Sequence, residues 1–308
     1  MSPDFIAAVL VAVTTAATPL LLAGLGELVT EKAGVLNLGV EGMMLVGAVG
    51  GFAAASATGS GLTGVGVAAL LGMATAALFA FLTLTLLSNQ VATGLALTIF
   101  GVGLSSLLGK PYIGMPLDRL PPLNIPGLSD LPLVGPVLFG HDALVYLSLA
   151  AVPAVAWFLM RTRPGLILRS VGESPEAAHA LGHPVIAIRY AATLFGGAMS
   201  GLAGAYLSLA YTPMWAENMS AGRGWIALAL VVFATWKPGR LLLGAYLFGL
   251  VLILQLHAQG LGLAVPSQWL SMLPYLATIA VLVLISRDAT RIRLNAPASI
   301  GKVFHPDT

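Results

Sequence analysis

Long runs without a charged side chain dominate the chain. A membrane-crossing helix needs about 20 mostly apolar residues, so the length of each run predicts a number of crossings. Residues 42–109 contain no charged side chain over 68 residues, enough for three crossings, and residues 241–286 contain none over 46, enough for two. Residues 5–26, 143–160 and 190–216 each fit one crossing.

The weakest predicted crossing is residues 219–236, which contain Arg223 and indicate a short or half-buried helix. Together the runs predict about nine spans, with eight to ten allowed. We therefore expect an all-α, polytopic transmembrane bundle formed by a single domain, residues 1–308.

The composition agrees with a membrane protein. The 308 residues include 14 basic and 12 acidic side chains, or 8%, against roughly a quarter in soluble proteins. Mean hydropathy is +0.94, and no cysteine is present, which excludes a disulfide scaffold. The net charge of +2 comes from scattered residues without an aromatic and basic stripe, so no nucleic-acid partner is expected.

The basic residues predict the orientation of the bundle. Loops rich in Lys and Arg remain in the cytoplasm, so residues 161–189 and the tail 287–308 are expected there. Counting crossings back from these segments places the Pro-rich residues 110–142 and the N-terminus outside. The N-terminus has no basic stretch before its first apolar run, so we expect that span to remain as an anchor.

Two motifs resemble ligand-binding sites, a phosphate-binding loop and a zinc-binding histidine pair, but neither has the residues that such a site needs. Residues 103–111 resemble a phosphate-binding loop, but the spacing is too long and a proline occupies the magnesium-binding position. His179 and His183 have the spacing of a zinc pair, but no Glu follows His179 and Gly182 ends the helix. No catalytic pair is visible. The sequence therefore predicts no metal site and a transport function rather than an enzyme.

Residues 26–42 place three acids and an asparagine in an otherwise apolar stretch with four glycines. Ionisable groups at membrane depth usually face a cavity or a partner, and glycines permit broken helices. For Glu31 and Lys32 we prefer a solvated cytoplasmic turn. Asn37 and Glu41 lie just inside the next span, one helical turn apart, and are candidates for facing a translocation path.

A second segment predicts a short helix in the cytoplasmic loop. Ser174 is a good N-cap, Pro175 suits the first helical position, and Gly182 suits the residue after the end. Such a helix does not persist alone in water. We expect its small Ala177 and Ala178 face to pack into a groove on another protein, with packing against its own chain as the alternative.

Five blocks carry a family resemblance. Residues 26–44 closely resemble the signature of ABC-importer permeases of the nucleoside and simple-sugar type, within the branched-chain amino acid and ribose permease superfamily. Residues 89–97, 164–178, 221–229 and 295–302 resemble four further blocks in the same order. The resemblance covers nearly the whole chain and implies the ABC-importer permease fold.

The resemblance implies a subunit of a larger importer in a bacterial plasma (inner) membrane. The chain resembles the shorter of two permeases that form a heterodimer. A cytoplasmic ATPase, often with two fused nucleotide-binding domains, would use the ATP, and an outer lipoprotein would bind the small-molecule solute. No cofactor of its own is implied. The residues implied in ATPase coupling are Gly172, Glu173, Pro175, Glu176, Ala177, Ala178 and Gly182.

Among the solutes of nucleoside and simple-sugar permeases, we favour a nucleoside as the imported solute, with simple sugars as the close alternative. A neutral hydroxylated solute needs amides and a stacking ring rather than dense charge. The candidate path residues are Asn37, Glu41, Asn89, Gln90, Trp215, Glu217 and Asn218. The last three equally suit interfacial anchors or contacts with the binding protein, and Arg223 is a candidate partner for Glu217.

Three other classes of function compete with this one. An ion-coupled secondary transporter would need a buried acid, for which Glu41 is the candidate. A branched-chain amino acid permease of the same superfamily is disfavoured by the family block at residues 41–44. An intramembrane enzyme lacks a catalytic pair.

Overall fold

The computed structural model describes residues 3–123, 126–129, 131, 134–260 and 295–305, with single positions 269, 272, 276, 279, 280 and 283. Ten α-helices lie in this part of the chain: α1 Pro3–Lys32, α2 Val40–Thr58, α3 Gly61–Ala80, α4 Gln90–Gly109, α5 Ala143–Arg161, α6 Arg163–Glu173, α7 Pro175–Ala180, α8 Val185–Ala205, α9 Arg223–Phe233 and α10 Pro238–Gly260. Two π-helical turns, Phe81–Thr85 and Tyr206–Tyr211, continue α3 and α8.

The helical bundle expected from the sequence is confirmed. Seven described helices are long and apolar enough to cross a membrane, and α9 is a shorter apolar helix. The run at 42–109 contains three of the seven, as predicted. The run at 219–236 holds only the short α9. The second crossing predicted in 241–286 lies outside the described residues, apart from single positions.

Short polar side chains define where the membrane helices begin. Ser60 Oγ accepts from the Thr63 amide at 3.4 Å, and Asn89 Oδ1 accepts from the Ala92 amide at 3.0 Å. Asp142 Oδ1 accepts from the first amides of α5 at 2.9 and 3.2 Å. Each cap pairs an amide that the helix itself leaves unpaired.

Close glycine contacts hold α2, α3 and α8 together at the centre. A methyl group added at Gly47 would lie 2.6 Å from the Gly201 Cα atom, and one added at Gly72 would lie 2.8 Å from the same atom. Small residues let membrane helices approach this closely because lipid provides no hydrophobic drive for their association. The packing of α2, α3 and α8 therefore depends on the close approach of their backbones.

The two ends of the bundle differ in character. At one, the Arg-rich end, the last turn of α1 packs with α6 and the start of α8, and residues 295–305 contact α6, α7 and α8. At the other, the Pro-rich end, residues 113–117 run alongside 213–215, with bridges from Ile113 to Trp215 and from Pro116 to Met214.

Candidate functional site

Residues 33–39, between α1 and α2, are non-helical, and α2 begins inside the bundle. A methyl group added at Gly101 would lie 2.5 Å from the Gly42 Cα atom, so the two glycines lie at the same height along the bundle axis. Gly101 is 11 residues after Gln90, or about 16 Å along α4, a 20-residue helix. The start of α2 therefore lies near the middle of the helical bundle, halfway between its two ends, a height called mid-thickness below.

The helix α9 is a half-helix. Its 11 residues rise about 16 Å. Just beyond its carboxyl end, Trp236 Nε1 donates to Glu31 Oε2 in the last turn of α1, at the Arg-rich end. The amino end of α9 must therefore lie near mid-thickness. Residues 212–222, which precede it, are non-helical.

Glu41 joins the two interrupted elements. Its Oε1 accepts from Ser220 Oγ at 2.6 Å and from the Gly222 amide at 2.8 Å, while Oε2 accepts from the Gly224 amide at 2.6 Å. The side chain is 4% exposed. Unpaired amides and the helix dipole make a helix N-terminus favourable for an anion. The carboxylate therefore holds the amino end of α9 in place.

Side chains from α1 and α4 hold the α1–α2 connection. Glu27 Oε1 accepts from the Asn37 amide at 3.0 Å, and Gln90 Oε1 accepts from the Leu36 amide at 2.8 Å. Thr98 Oγ1 donates to the Leu38 carbonyl at 2.9 Å. Irregular backbone at membrane depth is tolerated only when its polar groups are satisfied in this way.

Asn37 and Gln90 are both buried beside this connection. Asn37 Oδ1 accepts from the Gly39 amide at 2.9 Å, and its Nδ2 lies 3.5 Å from Met43 Sδ. Within the described residues, Gln90 Nε2 and Glu27 Oε2 have no hydrogen-bond partner. Two buried polar atoms, one from α1 and one from α4, are therefore unpaired beside the connection.

The expectation that Glu31 lies in a solvated turn is wrong. The side chain is 1% exposed because α1 continues to Lys32 and Trp236 covers the carboxylate. Lys32 is half-buried, and its Nζ donates to the Asn295 carbonyl at 2.6 Å. Both residues belong to the packed Arg-rich end.

The remaining candidate path residues lie at opposite ends. Asn89 is an exposed N-cap beside the Arg-rich end. Trp215 is 1% exposed at the Pro-rich end, where its ring packs on Gly109, and its Nε1 has no partner within the described residues. Glu217 and Asn218 are exposed near it. The seven candidates do not form one cluster, and their role in a path stays a prediction.

Arg223 serves the amino end of α9. Its Nη1 donates to the carbonyls of Met219 and Ser220 at 3.3 and 3.1 Å, and its guanidinium lies 5.4 Å from the centre of the Tyr211 ring. These contacts, rather than Glu217, occupy the guanidinium.

Sequence reasoning missed Ser220 as a hydrogen-bond partner of Glu41. The neighbouring family block at residues 221–229 was the only feature of the sequence that drew attention to this region. Spacing along the chain does not connect that block to Glu41.

The predicted short helix is present as α7. Ser174 Oγ accepts from the Ala177 amide at 3.3 Å, and Pro175 begins the helix. Gly182 has φ of +84°, the left-handed conformation that ends helices at glycine.

The two alanines of α7 have different surroundings. Ala178 is 2% exposed and packs with Val171, Val185 and Phe304 of its own chain. The expected groove on another protein is thus wrong for Ala178, which packs within its own chain, whereas Ala177 is exposed. The exposed residues on and beside α7 are Glu173, Glu176, Ala177, His179, Ala180 and Leu181, the last 77% exposed.

Comparison with known proteins gives a consistent result. The model of the family described as branched-chain amino acid transport system, permease component, matches residues 9–282. A putative glucose ABC transporter permease protein of Haloferax volcanii is 47% identical, over 98% of each chain. A nucleoside ABC transporter permease protein of Lactococcus lactis is 33% identical, over 87% of this chain and 88% of its own. A guanosine ABC transporter permease protein of Bacillus subtilis is 30% identical, over 86% and 88%.

Proposed function

The chain belongs to the branched-chain amino acid transport system permease family, and we propose that it is the membrane-spanning subunit of an ATP-driven importer for a nucleoside or simple sugar. The observation that carries this proposal is α7, a capped helix with an exposed outer face at one end of a transmembrane bundle. A permease that is driven by the ATPase of a separate subunit needs such a surface for that subunit to act on. Similarity to ABC transporter permeases along almost the full chain supports it.

The two ends of the bundle suit different partners. We assign the Arg-rich end to the cytoplasm, where the exposed face of α7 would dock a separate ATPase. The Pro-rich end, with exposed Glu217 and Asn218, would meet a solute-binding lipoprotein outside. A second, paralogous permease would complete a heterodimer around the path.

This orientation can be tested directly because the chain has no native cysteine. Single cysteines at exposed Ala177 and Ala216 lie at the Arg-rich and Pro-rich ends respectively. A membrane-impermeant thiol reagent added outside intact cells should label the cysteine at 216 and leave the one at 177 unlabelled. The reverse pattern would overturn the orientation.

A nucleoside is our first candidate for the solute. Two of the relatives named above transport nucleosides by name, and the candidate path residues are mainly amides and acids rather than clustered arginines. A charged nucleotide would enter such a path unpaired at high cost. Weak hydrogen bonding is sufficient, because a permease must release what its binding protein has captured.

Glucose is the second candidate, favoured by one observation. The putative glucose permease shares 47% identity with this chain, against 33% and 30% for the two nucleoside permeases. Both solutes present hydroxyl groups and no net charge, so the same polar groups could serve either.

Uptake by the complete complex in proteoliposomes distinguishes the solutes. Labelled adenosine, uridine, glucose, ribose and leucine should be compared with and without ATP on the ATPase side. Nucleoside accumulation supports the first candidate, and accumulation of glucose or ribose alone supports a sugar importer. Accumulation of leucine alone would contradict both.

A further inference from the structure

Arg189 is a buried cation near the start of α8. It is 1% exposed, and its guanidinium donates to three acceptors, one at the end of α1 and two in residues 295–305. Nε donates to the Ala33 carbonyl at 3.2 Å, Nη1 donates to the Lys302 carbonyl at 3.2 Å, and Nη2 donates to Ser299 Oγ at 3.1 Å. The planar fork of arginine suits several acceptors at fixed angles, which the single ammonium of lysine does not.

Residues 295–305 form a strap across the Arg-rich end. The Ser299 amide and Oγ both donate to the Gly172 carbonyl, at 3.0 and 2.7 Å, which joins the strap to α6. The Gly301 amide donates to the Gly34 carbonyl at 3.2 Å, which joins it to the α1–α2 connection. The strap therefore bonds to α6 and to the α1–α2 connection, and Arg189 adds a second link between the strap and that connection.

The same strap supports α7. Phe304 is 6% exposed and packs with Ala178, Val171 and Val185. Its ring also lies edge-on to His179, with ring centres 5.6 Å apart. A displacement of α7 must therefore move Phe304 and the strap, or open this contact.

The α1–α2 connection links the strap to the half-helix α9. Gly34 has φ of +85°, and a methyl group there would lie 2.9 Å from Arg189 Nη2, so the strap and guanidinium fit closely around it. A few residues further on, Leu36 and Asn37 are held by Gln90 and Glu27. The connection then enters α2, where Glu41 holds α9.

We propose that Arg189 and the strap transmit the movement of α7 to the α1–α2 connection, and through it to α9 at mid-thickness. This proposal rests on the proposed function, because it takes α7 as the surface on which the ATPase acts. Arg189 is a positioning residue: it contacts no solute and acts through the segments that it joins. A chain of contacts alone does not establish coupling, so the test must separate transmission from folding.

Arg189→Lys in the complete complex provides that test. Lysine keeps the charge but cannot reproduce the three-way fork. Three quantities should be measured: ATPase retained on the purified permease, basal ATP hydrolysis, and solute uptake per assembled complex. We expect unchanged assembly and basal hydrolysis, with uptake per complex reduced about tenfold. Phe304→Ala should produce the same uncoupled pattern by removing the contact between the strap and α7.

Lys302→Ala is the matched control, because Lys302 contributes its carbonyl to Arg189 while its side chain is exposed. Uptake by this variant should equal that of the wild type. If Arg189→Lys and Phe304→Ala lower the amount of assembled complex while uptake per complex is unchanged, the strap only stabilises the fold and the proposal is wrong. Failure of the wild-type complex to show ATP-dependent uptake would instead refute the proposed function.

Discussion

Glu41 and the helix α7 both stood out in the sequence, and the structure places them in opposite situations. The Glu41 carboxylate lies near mid-thickness with both oxygens hydrogen-bonded by its own chain. The outer face of α7 lies exposed at one end, with Leu181 77% exposed. A buried acid in a membrane protein can thus be explained by the fold that it stabilises, whereas an exposed, well-capped helix points to a partner.

Replacement of the carboxylate should give the largest effect on stability. Glu41→Ala leaves the amides of Gly222 and Gly224 and the hydroxyl of Ser220 without their acceptor. Each buried donor left unpaired costs about 1–3 kcal/mol. We expect the free energy of unfolding in detergent to fall by roughly 3 kcal/mol or more, measured by thermal or denaturant unfolding.

The exposed carboxylate of Glu217 provides the matched control. Glu217→Ala should change the unfolding free energy by no more than about 0.5 kcal/mol. Equal stabilities for the Glu41 and Glu217 variants would remove the structural role assigned to Glu41.

The buried side of α7 should show the next largest effect. Ala178→Asp places a carboxylate against Val171, Val185 and Phe304, at a cost of a few kcal/mol if it stays unpaired. We expect loss of stability at the Arg-rich end and, as a consequence, weaker retention of the ATPase. Limited proteolysis of residues 295–305 and pull-down of the ATPase measure the two effects. A variant with normal protection and normal retention would contradict the packing described.

A smaller effect is expected where the backbone of α9 approaches Glu41. A methyl group at Gly224 would lie 2.6 Å from the Glu41 Cα atom, so Gly224→Ala forces the two elements apart. Overpacking of this kind typically costs about 1–3 kcal/mol. Gly103→Ala, within α4, is the control, because nothing lies within 4 Å of a methyl group there. Thermal unfolding should separate the two variants, and equal melting temperatures would argue against close packing.

The smallest effect on stability should come from the outer face of α7. Leu181→Asp should change the unfolding free energy by no more than about 0.5 kcal/mol, as exposed positions usually do. ATPase retention in pull-down should nevertheless fall about tenfold if this face forms the contact, since apolar anchors carry much of an interface. Normal retention and uptake in this variant would exclude the face as the docking surface.

The sequence predicted elements whose causes are local. Charge-free runs located the membrane helices, and Ser174, Pro175 and Gly182 located α7 because caps act within a few residues. The partners of Glu41 lie about 180 residues away in the chain, and the tryptophan that covers Glu31 lies 205 residues away. No pattern of spacing connects residues so far apart, so these contacts needed the structure.

Contacts between residues far apart in the chain also explain why the sequence did not predict the burial of Arg189. In the sequence it counts with the basic residues that predict a cytoplasmic loop. In the structure it is almost fully buried, because carbonyls from Ala33 and Lys302 and the hydroxyl of Ser299 converge on it. Charge counting indicates a side of the membrane and does not distinguish a solvated arginine from a buried one.

The energy source for transport is the most direct test of the roles given to α7 and Glu41. If α7 is the coupling surface and Glu41 a structural anchor, solute accumulation in proteoliposomes requires ATP on the ATPase side. Accumulation should then persist when an uncoupler removes the proton gradient while ATP is maintained. Accumulation driven by a proton gradient without ATP, and abolished by Glu41→Gln in protein of normal stability, would contradict both roles and make Glu41 the coupling group of a secondary transporter.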